Sequence, residues 1–258
     1  MADFASLIAT RNFKLGTYVG EFASAGLGQI IASAGAEFVF LDMEHSGFTF
    51  ETIKTLLRSF HDAGLATLLR PPSQTPHHLS RACDVGAQGI VPPMLGSVAQ
   101  AKACIDAIKY PPLGKRGAAF SIAHDDYRPR EVTDALAQGN ARTRFVALIE
   151  TAEGVENCAA IAALEGVDCL WIGHMDLSIS LGVPGDFGNL AFLNAVARIM
   201  AAAKSAGKPM GRMVSSPEEG KRLHQEGCSF ICYSGDVWLF RQALLDGLTA
   251  TRKAIARA

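Results

Sequence analysis

Short apolar runs rich in β-branched and aromatic residues recur along the whole chain, separated by stretches of helical periodicity. They read LGTYVG from Leu15, FVFLD from Phe38, ATLLR from Ala66, GIVPPM from Gly89, FVALIE from Phe145, CLWIGH from Cys169, PMGRMV from Pro209 and FICYSG from Phe230, eight candidate strands. Nearly unbroken hydrophobicity, rather than alternation, is what a parallel strand buried on both faces requires. Between the runs, Ile53, Leu56, Leu57 and Phe60 fall at i, i+3, i+4 and i+7, one apolar stripe of a helix. Phe192, Val196, Ile199 and Met200 form a similar stripe. Gly35, Gly64, Gly166, Gly207 and Gly227 each stand between a helical pattern and the next strand, the place of a left-handed helix-ending residue.

Strands joined by helical crossovers either close into a barrel or open into a doubly wound sheet, and periodicity does not choose between them. The strand ends do. Asp42, Glu44 and His45 follow the second strand, Arg70 ends the third, Glu150 the fifth, and His174 and Asp176 follow the sixth. Polar residues gathered at C-terminal strand ends from all round the chain predict a (β/α)8 barrel with its site at that face. An open sheet would concentrate them at one switch point. Gly26 and Gly28 give a GxG with no third glycine, inside a predicted helix, so a dinucleotide fingerprint is not supported. The segment from about 110 to 140, with Pro111 and Pro112 and the polar, aromatic AAFSIAHDDYRP, breaks the rhythm and is expected to be a lid or a subunit contact.

The length of 258 residues suits one such domain, spanning 1–258. A 49% apolar share against 19% charged leaves room for burial between subunits. The 24 Lys and Arg balance 25 Asp and Glu, so no overall field selects nucleic acid or an anionic membrane, and a small-molecule partner is expected. The six cysteines, at 83, 104, 158, 169, 228 and 232, form no Cys-x-x-Cys pair and read as reduced core residues. Neither a signal-like start nor a membrane-length apolar run is present, which predicts a soluble cytoplasmic protein.

Glu150 and Asp176 converge, in a barrel, from adjacent strands, and two such carboxylates repel unless a cation lies between them. A hard divalent ion suits their oxygens and keeps positions for water and substrate. Singly, Asp176 is equally a helix cap and Glu150 an ion-pair partner; jointly they favour a metal. Arg70, between an apolar strand and Pro71, would meet an anionic or enolate oxygen, or else pair with Asp42 or Glu44. His45, near two acids at a strand end, is the candidate general base. His77 and His78 read as solvated, while His124 and His174 stay open. His124, Asp125 and Asp126 in the long segment are possible acceptor contacts, with solvation the plainer reading. No lysine stands at a C-terminal strand end, since Lys14 and Lys208 precede their strands, so imine chemistry is excluded and carbanion chemistry would need metal assistance.

The blocks FVFLDMEHSG, LLRPP, DVGAQGIVPPM, YPPLGKRG, ALIETAEGVEN and GVDCLWIGHMDLS, in order from Phe38 to Ser178, resemble those of the HpcH/HpaI family of metal-dependent 2-oxo acid aldolases. The resemblance implies a single-domain α/β fold, a (β/α)8 TIM barrel, assembled as a hexamer. It implies a class II aldehyde-lyase that reversibly adds the enolate of pyruvate, or a related 2-oxo acid such as hydroxypyruvate, to an aldehyde, giving a 4-hydroxy-2-oxo acid. It implies Glu150 and Asp176 as metal ligands for magnesium or manganese, with cobalt, zinc or nickel as alternatives. Arg70 would stabilise the enolate and His45 act as base, with Asp42 and Asp84 as acidic partners, Asp84 reaching in from a neighbouring subunit. Two departures stand out: Leu148 where the family commonly has glutamine, and His174-Met175 where it has Pro-Ala. Leu148, His174 and Met175 thereby join Arg70 and Asp176 as substrate-binding positions, with His174 beside the turn whose backbone N–H groups would hold the 2-oxo acid carboxylate. The alternatives are a CoA-ester lyase of the citramalyl or malyl type, for which no basic nucleotide-binding cluster is evident, a racemase or decarboxylase using the same enolate, and a non-catalytic barrel that binds a 2-oxo acid.

Overall fold

Every apolar run becomes a strand in the computed structural model, which describes residues 3–10 and 12–257. The strands are β1 (Lys14–Val19), β2 (Phe38–Asp42), β3 (Ala66–Arg70), β4 (Gly89–Ile90), β5 (Arg144–Ile149), β6 (Val167–Ile172), β7 (Met210–Val214) and β8 (Phe230–Gly235). All are parallel and pair in chain order, and β8 returns to β1 to close the barrel. Only Gly89 and Ile90 of the fourth run remain strand, because Pro92 and Pro93 have no N–H to give the ladder.

The helices are α1 (Phe4–Ala9), α2 (Leu27–Ser33), α3 (Phe50–Asp62), α4 (Pro76–Asp84), α5 (Val98–Ile108), α6 (Val132–Arg142), α7 (Ala152–Ala162), α8 (His174–Ser180), α9 (Leu190–Ser205), α10 (Pro217–Glu226) and α11 (Asp236–Ile255). Helix α3 shows how the sequence sets one. Thr49 accepts the Thr52 N–H at its start, and the stripe Ile53, Leu56, Leu57 and Phe60 is buried, each side chain contributing roughly 2 kcal/mol of hydrophobic stabilisation. In α9, Phe192, Val196 and Ile199 are buried and Met200 packs at the edge. The five glycines before strands all take positive φ; Gly227, at 114°, ends α10. Gly28 has a packing role instead, since a Cβ there would strike the Ser59 backbone where α2 lies on α3.

One core fills the barrel, with Phe38, Phe40, Leu68, Leu148, Trp171 and Phe230 interdigitated, and a second lies between barrel and helices. Helix α1 closes the N-terminal end, where Phe4 meets Phe230 at 5.4 Å. Lys14 lies at that same end, its Nζ donating to the Thr10 carbonyl at 2.6 Å. All six cysteines are buried and free.

Two segments depart from a plain barrel. The 110–140 segment leads from α5 through α6 into β5, which places it at the N-terminal end, where a short turn at Ala123–Asp125 packs on α4 and α6. None of its residues borders the cavity at the opposite face, so it is no lid over its own chain's site. Helix α11 has only Asp236 buried; Trp238, Phe240, Leu244, Leu245 and Leu248 are all exposed. The barrel flank that an eighth helix would cover is left as an apolar groove of about 680 Å³, lined among others by Leu15, Ile30, Ile31, Pro217 and Ile231. No helix among the described residues is long and apolar enough to cross a membrane.

Candidate active site

Register places Asp42 of β2 directly beside Arg70 of β3. The Asp42 carboxylate, wholly buried, accepts Arg70 Nε and Nη2, each at 2.7 Å, the Tyr18 hydroxyl at 2.8 Å, and the backbone N–H groups of Glu44 at 3.0 Å and His45 at 3.3 Å. Burial alone would raise its pKa, but the Arg70 bonds and charge with the Tyr18 bond prevail and lower it. Arg70 also meets Glu44 Oε2 through Nη1 at 3.1 Å. Its guanidinium is therefore locked, and although burial opposes the charge, Asp42 and Glu44 hold it protonated.

The His45 ring is 59% exposed and nearest Glu44 Oε2, at 3.7 Å. The expected pairing of Asp42 with that ring is thus replaced: Asp42 takes the His45 backbone N–H and serves Arg70, and Glu44 faces the imidazole. Burial raises the Glu44 pKa despite the pull of Arg70 and His45.

Glu150 follows β5 with 1% exposure. Its Oε1 accepts the Met94 N–H at 2.6 Å, while Oε2 is buried and has no hydrogen-bond partner among the described residues. Burial pushes this carboxyl up to about 7, with the Glu44 and Asp176 charges adding and Met94 and Arg70 opposing. Gly173 leaves the room: any side chain there would collide with the Glu150 carboxylate. Met94 is held at φ 57°, a left-handed value for a non-glycine residue, by Gln74 Nε2, which donates to the carbonyls of Pro93 at 2.7 Å and Met94 at 2.9 Å.

Asp176 lies in the first turn of α8, beside the exposed Met175. The His174 ring sets its edge on Phe187 at 5.2 Å; burial, with the Arg212 charge, lowers its pKa to about 4, so it is neutral at pH 7. Leu148 is buried in the barrel interior and pairs in register with Trp171.

No group of three or more His, Cys, Asp or Glu side chains among the described residues is gathered as a metal-binding set. Glu150 and Asp176 nevertheless fit a divalent cation. An unpartnered buried carboxylate oxygen, at a site made acidic by a second carboxylate, is the donor chemistry that a hard ion satisfies, with substrate and water completing its shell.

His45, Arg70, Leu148, Glu150, His174, Met175 and Asp176 all line one cavity of about 1090 Å³, and Asp42 lies just behind Arg70. Asp84 does not join them within one chain. It ends α4 at the N-terminal side of the barrel, where Arg116 Nη2 binds it at 2.6 Å. Among the described residues no lysine lines the cavity. Tyr18, Glu44, Gln74 and Met94 took no catalytic or metal-supporting role from sequence, because only register and loop geometry bring them to the site.

A family model described as HpcH/HpaI aldolase/citrate lyase matches residues 15–243. The chain is 29% identical to a 5-keto-4-deoxy-D-glucarate aldolase of Klebsiella pneumoniae over 93% of each. It is 31% identical to a hydroxypyruvate/pyruvate aldolase of Delftia acidovorans, covering 88% of this chain and 84% of that one. A solved HpcH/HpaI aldolase from Desulfitobacterium hafniense superposes with a TM-score of 0.92 at 26% identity, covering 98% of this chain and 97% of that chain.

Proposed function

Since the chain belongs to the HpcH/HpaI aldolase/citrate lyase family, we propose that it is a divalent-metal-dependent aldolase joining the enolate of pyruvate or hydroxypyruvate to an aldehyde. The product is a 4-hydroxy-2-oxo acid, and the reaction runs in both directions. The observation that carries this reading is the convergence of a locked guanidinium, Arg70, and a buried carboxylate with one free oxygen, Glu150, on a single cavity.

Glu150 and Asp176 would hold the ion, magnesium or manganese by ligand type. When bound, it supplies Lewis-acid polarisation of the substrate ketone. The chain's own residues do the rest. Arg70, held along its Nε and Nη2 edge by Asp42, presents its charge where the ketone oxygen becomes anionic as the C3 proton leaves. His45, exposed at the mouth, takes that proton, and in cleavage takes the hydroxyl proton of the departing aldehyde. Glu44 orients the imidazole and shares Arg70.

The same reading includes a homo-oligomer, with a hexamer expected from the family. The α11 side chains Leu244, Leu245 and Leu248, beyond Phe240, are exposed, and the flank groove is their chemical complement; α11 of a second copy filling the groove would bury both. Asp84, at the far end of its own barrel, would reach a site only in another copy. Incubation of pyruvate or hydroxypyruvate with an aldehyde and Mg2+ or Mn2+ tests the function. The expected result is a 4-hydroxy-2-oxo acid by mass spectrometry, lost on adding EDTA; product formation insensitive to EDTA would contradict it.

A further inference from the structure

We infer that the aldehyde taken by this site is uncharged and apolar, an aliphatic or aromatic aldehyde rather than an aldehydic acid or a phosphorylated sugar; this rests on the aldolase reading. The ring order of the barrel divides the cavity into two arcs. From β2 to the start of α8 stand the chemical groups, His45, Arg70, Glu150 and Asp176. The remaining arc, contributed by β7, β8 with the start of α11, and β1, presents Met213, Trp238 and Tyr18. Phe40, Leu148 and Trp171 form the floor beneath both. A 2-oxo acid the size of pyruvate fills only a minor part of a 1090 Å³ cavity, so the acceptor must occupy the apolar arc.

The inner surface of that arc is apolar, and its polar side chains stand at the rim. Tyr18 spends its hydroxyl on Asp42 and offers the cavity its ring, which Trp238 meets at 5.3 Å. Leu148 presents methyl groups, with no amide to bind a polar acceptor. The polar groups at the rim, Ser215, Ser216 and Ser234, carry no charge. Of the two arginines lining the cavity, Arg70 is held by Asp42 and Glu44 at the enolate end, away from the apolar arc, and Arg222 stands at the exposed rim beside Glu226 at 3.2 Å. Glu218 borders the same rim and would repel an anion, while Glu219 beside it is paired with Arg212 at 3.0 Å. In the addition, C3 of the enolate bonds to the aldehyde carbon, the C=O π pair moves to the aldehyde oxygen, and that oxygen takes the proton from His45. The aldehyde's remaining chain is then left against Met213, Trp238 and Tyr18.

The test is a panel of acceptors with the wild-type enzyme, pyruvate and Mn2+. Propanal, butanal, pentanal, hexanal and phenylacetaldehyde are compared with glyoxylate, succinic semialdehyde and glyceraldehyde 3-phosphate, while pyruvate C3 exchange in D2O is followed separately without acceptor. Expected is a kcat/KM that rises roughly two- to fourfold per added methylene, the upper figure corresponding to full burial of the group. Hexanal and phenylacetaldehyde should exceed the anionic aldehydes by tenfold or more. Met213→Arg should move the ratio toward the anions, and Trp238→Ala should flatten the chain-length dependence. Exchange in the presence of a flat series, or a preference for anionic acceptors, would overturn the inference and leave the aldolase standing. Absence of exchange would overturn both.

Discussion

Asp42 and Arg70 form an ion pair in which the carboxylate is fully buried and every contact is charge-assisted. Removing one partner of such a pair leaves the other uncompensated, at a cost of about 3–5 kcal/mol. Arg70→Ala should therefore lower the unfolding midpoint as well as turnover, which should fall about 100- to 1000-fold for loss of one preorganised donor to the developing oxyanion. Thermal unfolding and kcat measured on the same preparation check both. Tyr18→Phe deletes only one of the bonds to Asp42 and should cost about 1–3 kcal/mol of stability. Glu150 gives the pH dependence. Its folded pKa, about 7, stands above the ordinary 4.5, so its contribution favours folding below pH 4.5 and is lost as pH rises through 7. The metal-free protein should lose about 3 kcal/mol across that window relative to Glu150→Gln, read by urea unfolding. Metal affinity runs the other way, falling about tenfold per pH unit below 7, because the ion needs the carboxylate. At this scale the residue types and strand ends were legible from sequence: Glu150, Asp176, Arg70 and His45 all reach one cavity. The exchange of roles between Asp42 and Glu44 was not, because two acids that close on one strand end are told apart only by which way the backbone turns after Asp42.

The elements were legible wherever a run had to be buried on both faces, and the eight runs became the eight strands of a closed barrel. The fourth was overread, since apolar Val91 beside two prolines resembles strand in composition while lacking the ladder donors. What the prolines make instead is the loop that delivers the Met94 N–H to Glu150. Gln74 holds that loop from the β3–α4 connection, so it would support Glu150 as a ligand of the proposed ion without itself reaching that ion. Gln74→Leu should weaken Mn2+ binding about 10- to 100-fold by calorimetry; unchanged affinity would remove Gln74 from the account. The 110–140 segment was read as lid or subunit contact because its composition carries no direction along the barrel axis. Its position between a helix and the following strand supplies that direction and leaves it at the N-terminal end.

The whole molecule is a barrel whose last helix stands off its own flank and whose Asp84 lies at the wrong end to act on its own site. Composition hinted at the first of these through a high apolar share, but the unpartnered face of α11 became visible only with the helix in place. Leu244→Glu with Leu248→Glu should shift sedimentation toward the monomer if α11 fills the groove of another copy; an unchanged oligomer would contradict that exchange. Asp84→Asn and Arg70→Ala, each inactive alone, should recover activity when their subunits are mixed and reassembled, because the two residues would then meet intact across an interface. Proton removal from the 2-oxo acid by a metal-loaded site is the central step of the proposed reaction. NMR of pyruvate in D2O with the Mn2+- or Mg2+-loaded enzyme and no aldehyde tests this most directly. The predicted result is loss of the C3 methyl signal that stops with EDTA and resumes on restoring the metal; no exchange with either pyruvate or hydroxypyruvate, or exchange indifferent to EDTA, would contradict it.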